Sequence, residues 1–252
     1  MATLKLVVDQ QNYAGPSIGY APAVMDGLQV WHFPKLTAAQ SVKNYPDGDP
    51  STIIGSPTFN NNSIRTTGGD DHIQTVAAET EDFTVLAVAR AINPGAANSA
   101  RPAIGGNLTL NTSGFGLIYG DLNGNEVLQL RRTVDSPLVS TNVSLTVATS
   151  GAGEITNYNF SGARNKTSGS DAEQAVFFRN ASTDVSETLS ISGRPVVLGA
   201  GNITAGGLAD LYDGELDIAF FAYYNRALSD VEIDAVYKQV RAYLSARNGI
   251  EV

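Results

Sequence analysis

The sequence predicts an all-β chain of many short strands, forming a sandwich or barrel, with one helix near the C-terminus. Three observations carry this. Charged residues make up only 16% of the 252, while Gly, Ala, Ser, Thr and Asn abound, the profile of short strands joined by tight turns. Short apolar or alternating runs recur, and Gly, Asn, Asp or Pro separates almost every pair. Only one stretch combines an apolar period of 3.6 with signals that start and stop a helix.

Residues 3–8, Thr-Leu-Lys-Leu-Val-Val, read as a strand with Leu4, Leu6 and Val8 on one apolar face. Residues 12–22, rich in Tyr, Gly and Pro, read as a loop, so residues 1–25 form an N-terminal strand and extended arm. The body is expected over 26–252. It opens at Asp26-Gly27-Leu28-Gln29-Val30-Trp31, where Leu28 and Val30 alternate with polar Gln29. Trp31 sits among residues of buried type and is expected in the core. A polar loop follows through Tyr45-Pro46-Asp47-Gly48-Asp49-Pro50. Strands are then expected at Ser63–Thr66, His72–Val76, Phe83–Ala89, Gly116–Tyr119, Val127–Arg131, Ser144–Thr149, Ala175–Arg179, Pro195–Leu198 and Leu216–Tyr223.

The helix is expected from Asp230 to Arg247. Ser229 and Glu232 make a capping box, and Leu228 can staple onto Ile233. Ile233, Val236, Tyr237, Val240 and Leu244 recur at helical spacing. Asn248-Gly249 ends the pattern with a pair suited to a left-handed cap.

The net charge of −9, with no offsetting basic cluster, disfavours nucleic acid and anionic membrane surfaces as partners. There is no cysteine, which excludes disulfides and thiolate metal sites. Met1-Ala-Thr-Leu-Lys shows neither a charged n-region nor an apolar h-region, so no export signal is expected. No apolar run has the length of a membrane span.

The segment from Tyr212 to Ile233, with Asp213-Gly214, Leu216-Asp217 and Tyr224-Asn225-Arg226-Ala227-Leu228-Ser229 inside it, resembles the closing signature of laminin-G-like jelly rolls. These belong to the concanavalin A-like lectin and glucanase class. Leu28–Trp31 resembles the opening strand, and Ser63–Val76, with Gly68-Gly69-Asp70-Asp71, the strand after the first variable loop. Phe83–Val88 resembles a core strand and Val197-Leu198-Gly199 a short one. The resemblance implies a two-sheet antiparallel jelly-roll sandwich, concanavalin A-like, with one C-terminal α-helix. Strand alternation then puts Leu216, Ile218 and Phe220 on one face and Asp217, Ala219 and Phe221 on the other. Asp217 is expected to pair with Arg226.

The same class includes laminarinase-type glucanases, which carry Glu-x-Asp-x-(x)-Glu on one strand. Here Glu215-Leu216-Asp217 begins that pattern, but Ala219 and Phe220 stand where the second glutamate would. Retaining hydrolysis needs two carboxyl groups flanking the bond, so no enzyme is expected. His32 and His72, the two histidines, lack a motif that makes either a base or a ligand. Asp47 and Asp49 form the one candidate calcium site, on a loop of the kind where relatives carry calcium. The loop tyrosines Tyr45, Tyr158 and Tyr212 are the candidate sugar-stacking residues.

These readings point to a non-enzymatic structural or adhesive virion protein. A bacteriophage capsid-decoration, tail or fibre component is expected, meeting other virion subunits or its own copies and contacting a cell-surface glycan. The alternative is a bacterial carbohydrate-binding lectin module. The arm would join the assembly through Leu4, Leu6 and Val8.

Overall fold

The computed structural model describes residues 21–252 except 46–47, 110–111, 136–138, 149–152, 168–171, 192–194 and 209–211. Its strands are β1 (Leu28–His32), β2 (Thr52–Ile54), β3 (Thr58–Phe59), β4 (Ile64–Thr67), β5 (His72–Ala78), β6 (Phe83–Ile92), β7 (Ala103–Gly106) and β8 (Phe115–Leu122). They continue as β9 (Asn125–Val134), β10 (Val139–Ala148), β11 (Asn159–Lys166), β12 (Glu173–Arg179), β13 (Asp184–Ser190), β14 (Asn202–Ala205) and β15 (Glu215–Tyr224). A one-turn helix, α1 (Ala38–Ser41), lies in the first long loop, and α2 (Asp230–Asn248) follows β15.

All described pairings are antiparallel. One sheet runs β13-β12-β11-β6-β15-β4-β3, with β1 beside the second half of β15; the other runs β10-β9-β8-β7-β14-β5-β2. This is the two-sheet jelly-roll sandwich with one C-terminal helix. Between the sheets lies a core that includes Val85, Ala87, Leu117, Leu128, Leu130, Ile218 and Phe221. The outer face of the first sheet holds a second core, where Trp31, Leu86, Val88, Phe160 and Phe220 meet Ile233, Val236, Val240 and Leu244 of α2. A strand apolar on both faces, such as β6, is thus covered by the opposite sheet and by the helix.

α2 starts and stops as its sequence requires: Ser229 and Glu232 form the reciprocal capping box, and Gly249 closes the helix at φ 63°. The chain before β1 docks on this helix. Gln239 accepts from the Ala23 N–H and donates to the Ala21 carbonyl, and Val24 is buried. Leu4, Leu6 and Val8 lie outside the described residues.

Three expectations are corrected. β15 carries a bulge between Ile218 and Phe220, so Ala219 and Phe220 both face α2, while Leu216, Ile218, Phe221 and Tyr223 face the sandwich interior. The extra residue resets the alternation, and Phe220 and Phe221 exchange their expected faces. Arg226 bonds Glu232 and Asp26 instead of Asp217; it stands nine positions along an extended chain from Asp217, on the order of 30 Å. Pro195–Leu198 is no strand: Val196 makes one isolated bridge to Val134. β2, β3, β7, β11, β13 and β14 were not expected. β11 is polar and carries Gly162, where the Phe177 ring fills the space a Cβ would need.

Candidate functional site

α2 covers only part of the outer face of the first sheet. On the remaining strip, side chains from neighbouring strands form one row. Asp217 of β15 is the register partner of Arg65 on β4 and of Arg90 on β6. Asn159 pairs with Ala89, which sets the preceding residue, Tyr158, across from Arg90. The row therefore reads Arg65, Asp217, Arg90, Tyr158, and it is built by antiparallel register across strands far apart in sequence.

Asp217 is the centre. Its side chain is 1% exposed, against 36% for Arg65 and 37% for Arg90. Arg65 donates from Nε to Oδ1 (2.8 Å) and from Nη2 to Oδ2 (3.0 Å). Arg90 donates to Oδ2 from Nε (3.0 Å) and Nη2 (2.8 Å). A buried carboxylate is costly unless paired and hydrogen-bonded, and this one is both. The arrangement raises the Arg65 pKa above its ordinary value, chiefly through the hydrogen bond to Asp217. The Arg90 guanidinium lies over the Tyr158 ring, 4.8 Å from its centroid. Tyr158 is half-buried against the helix-side core. Its phenol pKa is raised by burial, against a hydrogen bond with Ser63 that lowers it. Glu215, exposed, is two residues from Asp217 on the same strand.

This strip offers guanidinium donors and an exposed carboxylate on strands, with a phenol and an aromatic edge from the residue that precedes β11. It offers no evident acid–base pair. Asp217 is committed to two arginines, and Ala219 is buried beneath α2.

The other sequence candidates do not join it. Tyr212 is fully buried among Ala103, Leu108, Ile118 and Leu208, so it presents no face for a sugar, contrary to expectation. Closure by its neighbours across the bridge from Asp213 to Pro102 is the reason. Tyr45 is half-buried, with Phe33 at 6.0 Å and Lys43 over its ring at 5.6 Å. Asp49 is exposed, and Asp47 lies outside the described residues. Among the described residues no group of three or more acidic or histidine side chains is placed to hold a metal ion. His32 is fully buried, with Nδ1 donating to the Lys43 carbonyl (2.9 Å) and Nε2 accepting from Ser51 (2.8 Å). Burial lowers its pKa to about 4, against that backbone bond.

Sequence reading missed Arg65 and Arg90. Neither belongs to a motif, and only sheet register brings them to Asp217. Their positions on alternating strands were the one available signal.

No family model and no curated protein matches the sequence. Solved structures match the fold. A botulinum neurotoxin serotype D binding domain superposes with a TM-score of 0.60 at 14% identity, over 85% of this chain and 51% of that one. A serotype D ligand binding domain in complex with N-acetylneuraminic acid gives 0.60, 14%, 85% and 51%. The binding domain of botulinum neurotoxin DC in complex with SialylT gives 0.59, 12%, 85% and 52%. The chain spans about half the length of these structures, and at such identities the likeness is one of fold.

Proposed function

We propose that this chain is a non-catalytic carbohydrate-binding module that reads a glycan along the row from Tyr158 to Arg65. The observation that carries the reading is the open strip beside α2, where two part-exposed guanidiniums are held in one geometry by buried Asp217. Sugars are recognised by an aromatic surface together with a few fixed polar groups that read hydroxyls. Arg65, Asp217 and Arg90 sit on strands, where groups hold their positions better than on loops. Two structures of similar fold are complexes with N-acetylneuraminic acid and SialylT, so sialylated glycans belong in the first set tested. A glycan array should retain the wild-type protein on a defined glycan, and Tyr158→Ala should lose it. An array on which both proteins behave alike overturns the reading.

The module is inferred to be adhesive and not hydrolytic. Turnover of laminarin, lichenan or agarose that Glu215→Gln abolishes would contradict this. We place the module in a bacteriophage particle, as a decoration, tail or fibre component that meets other virion subunits or its own copies. The cysteine-free composition and the proposed arm over residues 1–25, ahead of a body at 26–252, support that placement. Mass spectrometry of purified particles tests it; detection only in the bacterial host instead favours a bacterial lectin module.

A further inference from the structure

Tyr45, which the Tyr158 row does not include, belongs to a second surface at the end of β1. The loop after β1 doubles back on itself. The Lys35 N–H bonds to Ser41 Oγ (3.0 Å), and that hydroxyl donates to the Lys35 carbonyl (2.9 Å). The Tyr45 N–H bonds to the Trp31 carbonyl (3.1 Å), and the Lys43 carbonyl accepts from His32. Lys35 and Lys43, on either side of α1, are thereby brought to one aromatic group. The Phe33 ring lies 4.3 Å from Tyr243 of α2 and 6.0 Å from Tyr45. The Lys35 ammonium donates to the Tyr243 hydroxyl (3.2 Å) and stands 5.7 Å from that ring's centroid. The Lys43 ammonium stands 5.6 Å from the Tyr45 centroid. The ring quadrupoles hold both cations in place, and both lysines are only half-buried.

The two surfaces differ in charge. On the row, Arg65 and Arg90 bond Asp217, and Glu215 adds a second carboxylate from the same face of β15. The Arg65 pKa, raised chiefly by its hydrogen bond with Asp217, is raised further by the charge of Glu215. Two guanidiniums thus meet two carboxylates, and the row is close to neutral. At the end of β1 no such balance exists. Among the described residues neither Lys35 nor Lys43 is ion-paired, and Asp49, further along the loop, is bonded to neither. In a chain of net charge −9, two ammoniums without a counter-charge on one surface form a local attractor for a negative group. The surfaces are also close. Phe220 shares the outer face of β15 with Asp217, three positions along the strand, roughly 10 Å away. Its ring lies 5.1 Å from Phe33.

We propose that Lys35 and Lys43 hold the anionic substituent, a carboxylate or a sulfate, of an acidic glycan whose sugar rings lie on the Tyr158 row. This rests on the glycan reading of the row and specifies the class of glycan. The arginines look like the obvious partners for an acidic group. Asp217, however, already takes the Nε and Nη2 donors of both, and the nearby Glu215 repels a second anion. The lysines carry charge that no carboxylate of the described chain competes for. An ammonium is a compact donor without the planar fork of a guanidinium, so it accepts carboxylate and sulfate alike. The separation of the two surfaces exceeds one sugar ring, so the ligand that bridges them is an oligosaccharide and not a monosaccharide.

An array of sialylated, sulfated and neutral oligosaccharides, read with the full chain, tests it. The wild type should be retained on an acidic glycan more strongly than on the same glycan without its acidic group. Lys35→Gln combined with Lys43→Gln should abolish that preference, weakening the acidic glycan about tenfold. Lys35→Arg combined with Lys43→Arg keeps both charges and should keep the preference, which separates loss of charge from loss of packing. Added salt should weaken the wild type on the acidic glycan and barely move the glutamine variant. Sialylated and sulfated members retained alike support recognition of charge; one retained alone supports that acid as the source. A wild type that holds neutral glycans as well as acidic ones, or a preference that survives the glutamine variant, overturns this site and leaves the row standing. An array on which wild type and Tyr158→Ala behave alike overturns the row, and this site with it.

Discussion

The Arg90 guanidinium is held between the Tyr158 ring, 4.8 Å from its centroid, and the Asp217 carboxylate at 2.8 Å. It therefore links two neighbouring strands, β6 and β15, with the residue that leads into β11, and Asp217 is the common anchor. Asp217→Ala would leave Arg65 and Arg90 adjacent with no counter-charge. Removing one partner of a fully buried pair costs about 3–5 kcal/mol. Both arginines are about a third exposed, so water screens part of that, and a loss of about 2 kcal/mol is expected. Urea denaturation measures it; an unchanged midpoint would show that the row contributes nothing to folding.

His32 predicts a pH dependence. Its folded pKa is about 4, lowered from 6.5 by burial. The unfolded chain therefore binds the proton more readily, and stability falls as pH drops from 6.5 towards 4. Between pH 8 and pH 5 this one group should cost roughly 2 kcal/mol, at about 1.4 kcal/mol for each pH unit below 6.5. His32→Gln should flatten that part of the stability profile. A slope that persists in the variant assigns the effect to other groups.

The capping box of α2 is complete, and Arg226 reinforces it by bonding Glu232 at 2.6 Å. Ser229→Ala should destabilise the protein by about 1 kcal/mol. Ile233→Asp should cost several times as much, because Ile233 is 3% exposed and a carboxylate there would be buried without a partner. Equal melting temperatures for Ile233→Asp and wild type would show that α2 does not dock through this face.

β13 ends the first sheet, and nearly all of its residues are exposed. Such an edge is a template for pairing with another chain. Two copies meeting antiparallel about the strand centre would set Glu187 against Glu187, and like charges directly opposite are unfavourable. Glu187→Val should therefore produce concentration-dependent association in light scattering. A variant that stays as dispersed as wild type would show that Glu187 does not protect this edge.

Much of the fold was legible in the chain. The capping box, the apolar stripe of α2 and the apolar runs of β6 and β15 are local patterns, and local physics is enough to read them. The strands that went unread, such as β11 and β13, are polar or glycine-bearing; their partners hold them in the sheet, and their own propensity does not.

The candidate sites divide in the same way. Tyr158 was readable as an aromatic residue in a loop, and Asp217 as a carboxylate on a strand. That Arg65, Asp217 and Arg90 form one row follows from the register of β4, β15 and β6, strands brought together across more than a hundred residues. Tyr212 looked equally available in sequence, yet the bridge between Asp213 and Pro102 encloses it beneath Arg131. The bulge at Ala219 decided which of Phe220 and Phe221 faces the helix. Sequence alone determined composition, charge, the helix and most strands, because these depend on neighbours along the chain. Tertiary structure decided which charges meet and which aromatics remain open, because sheet register joins residues that no local pattern relates.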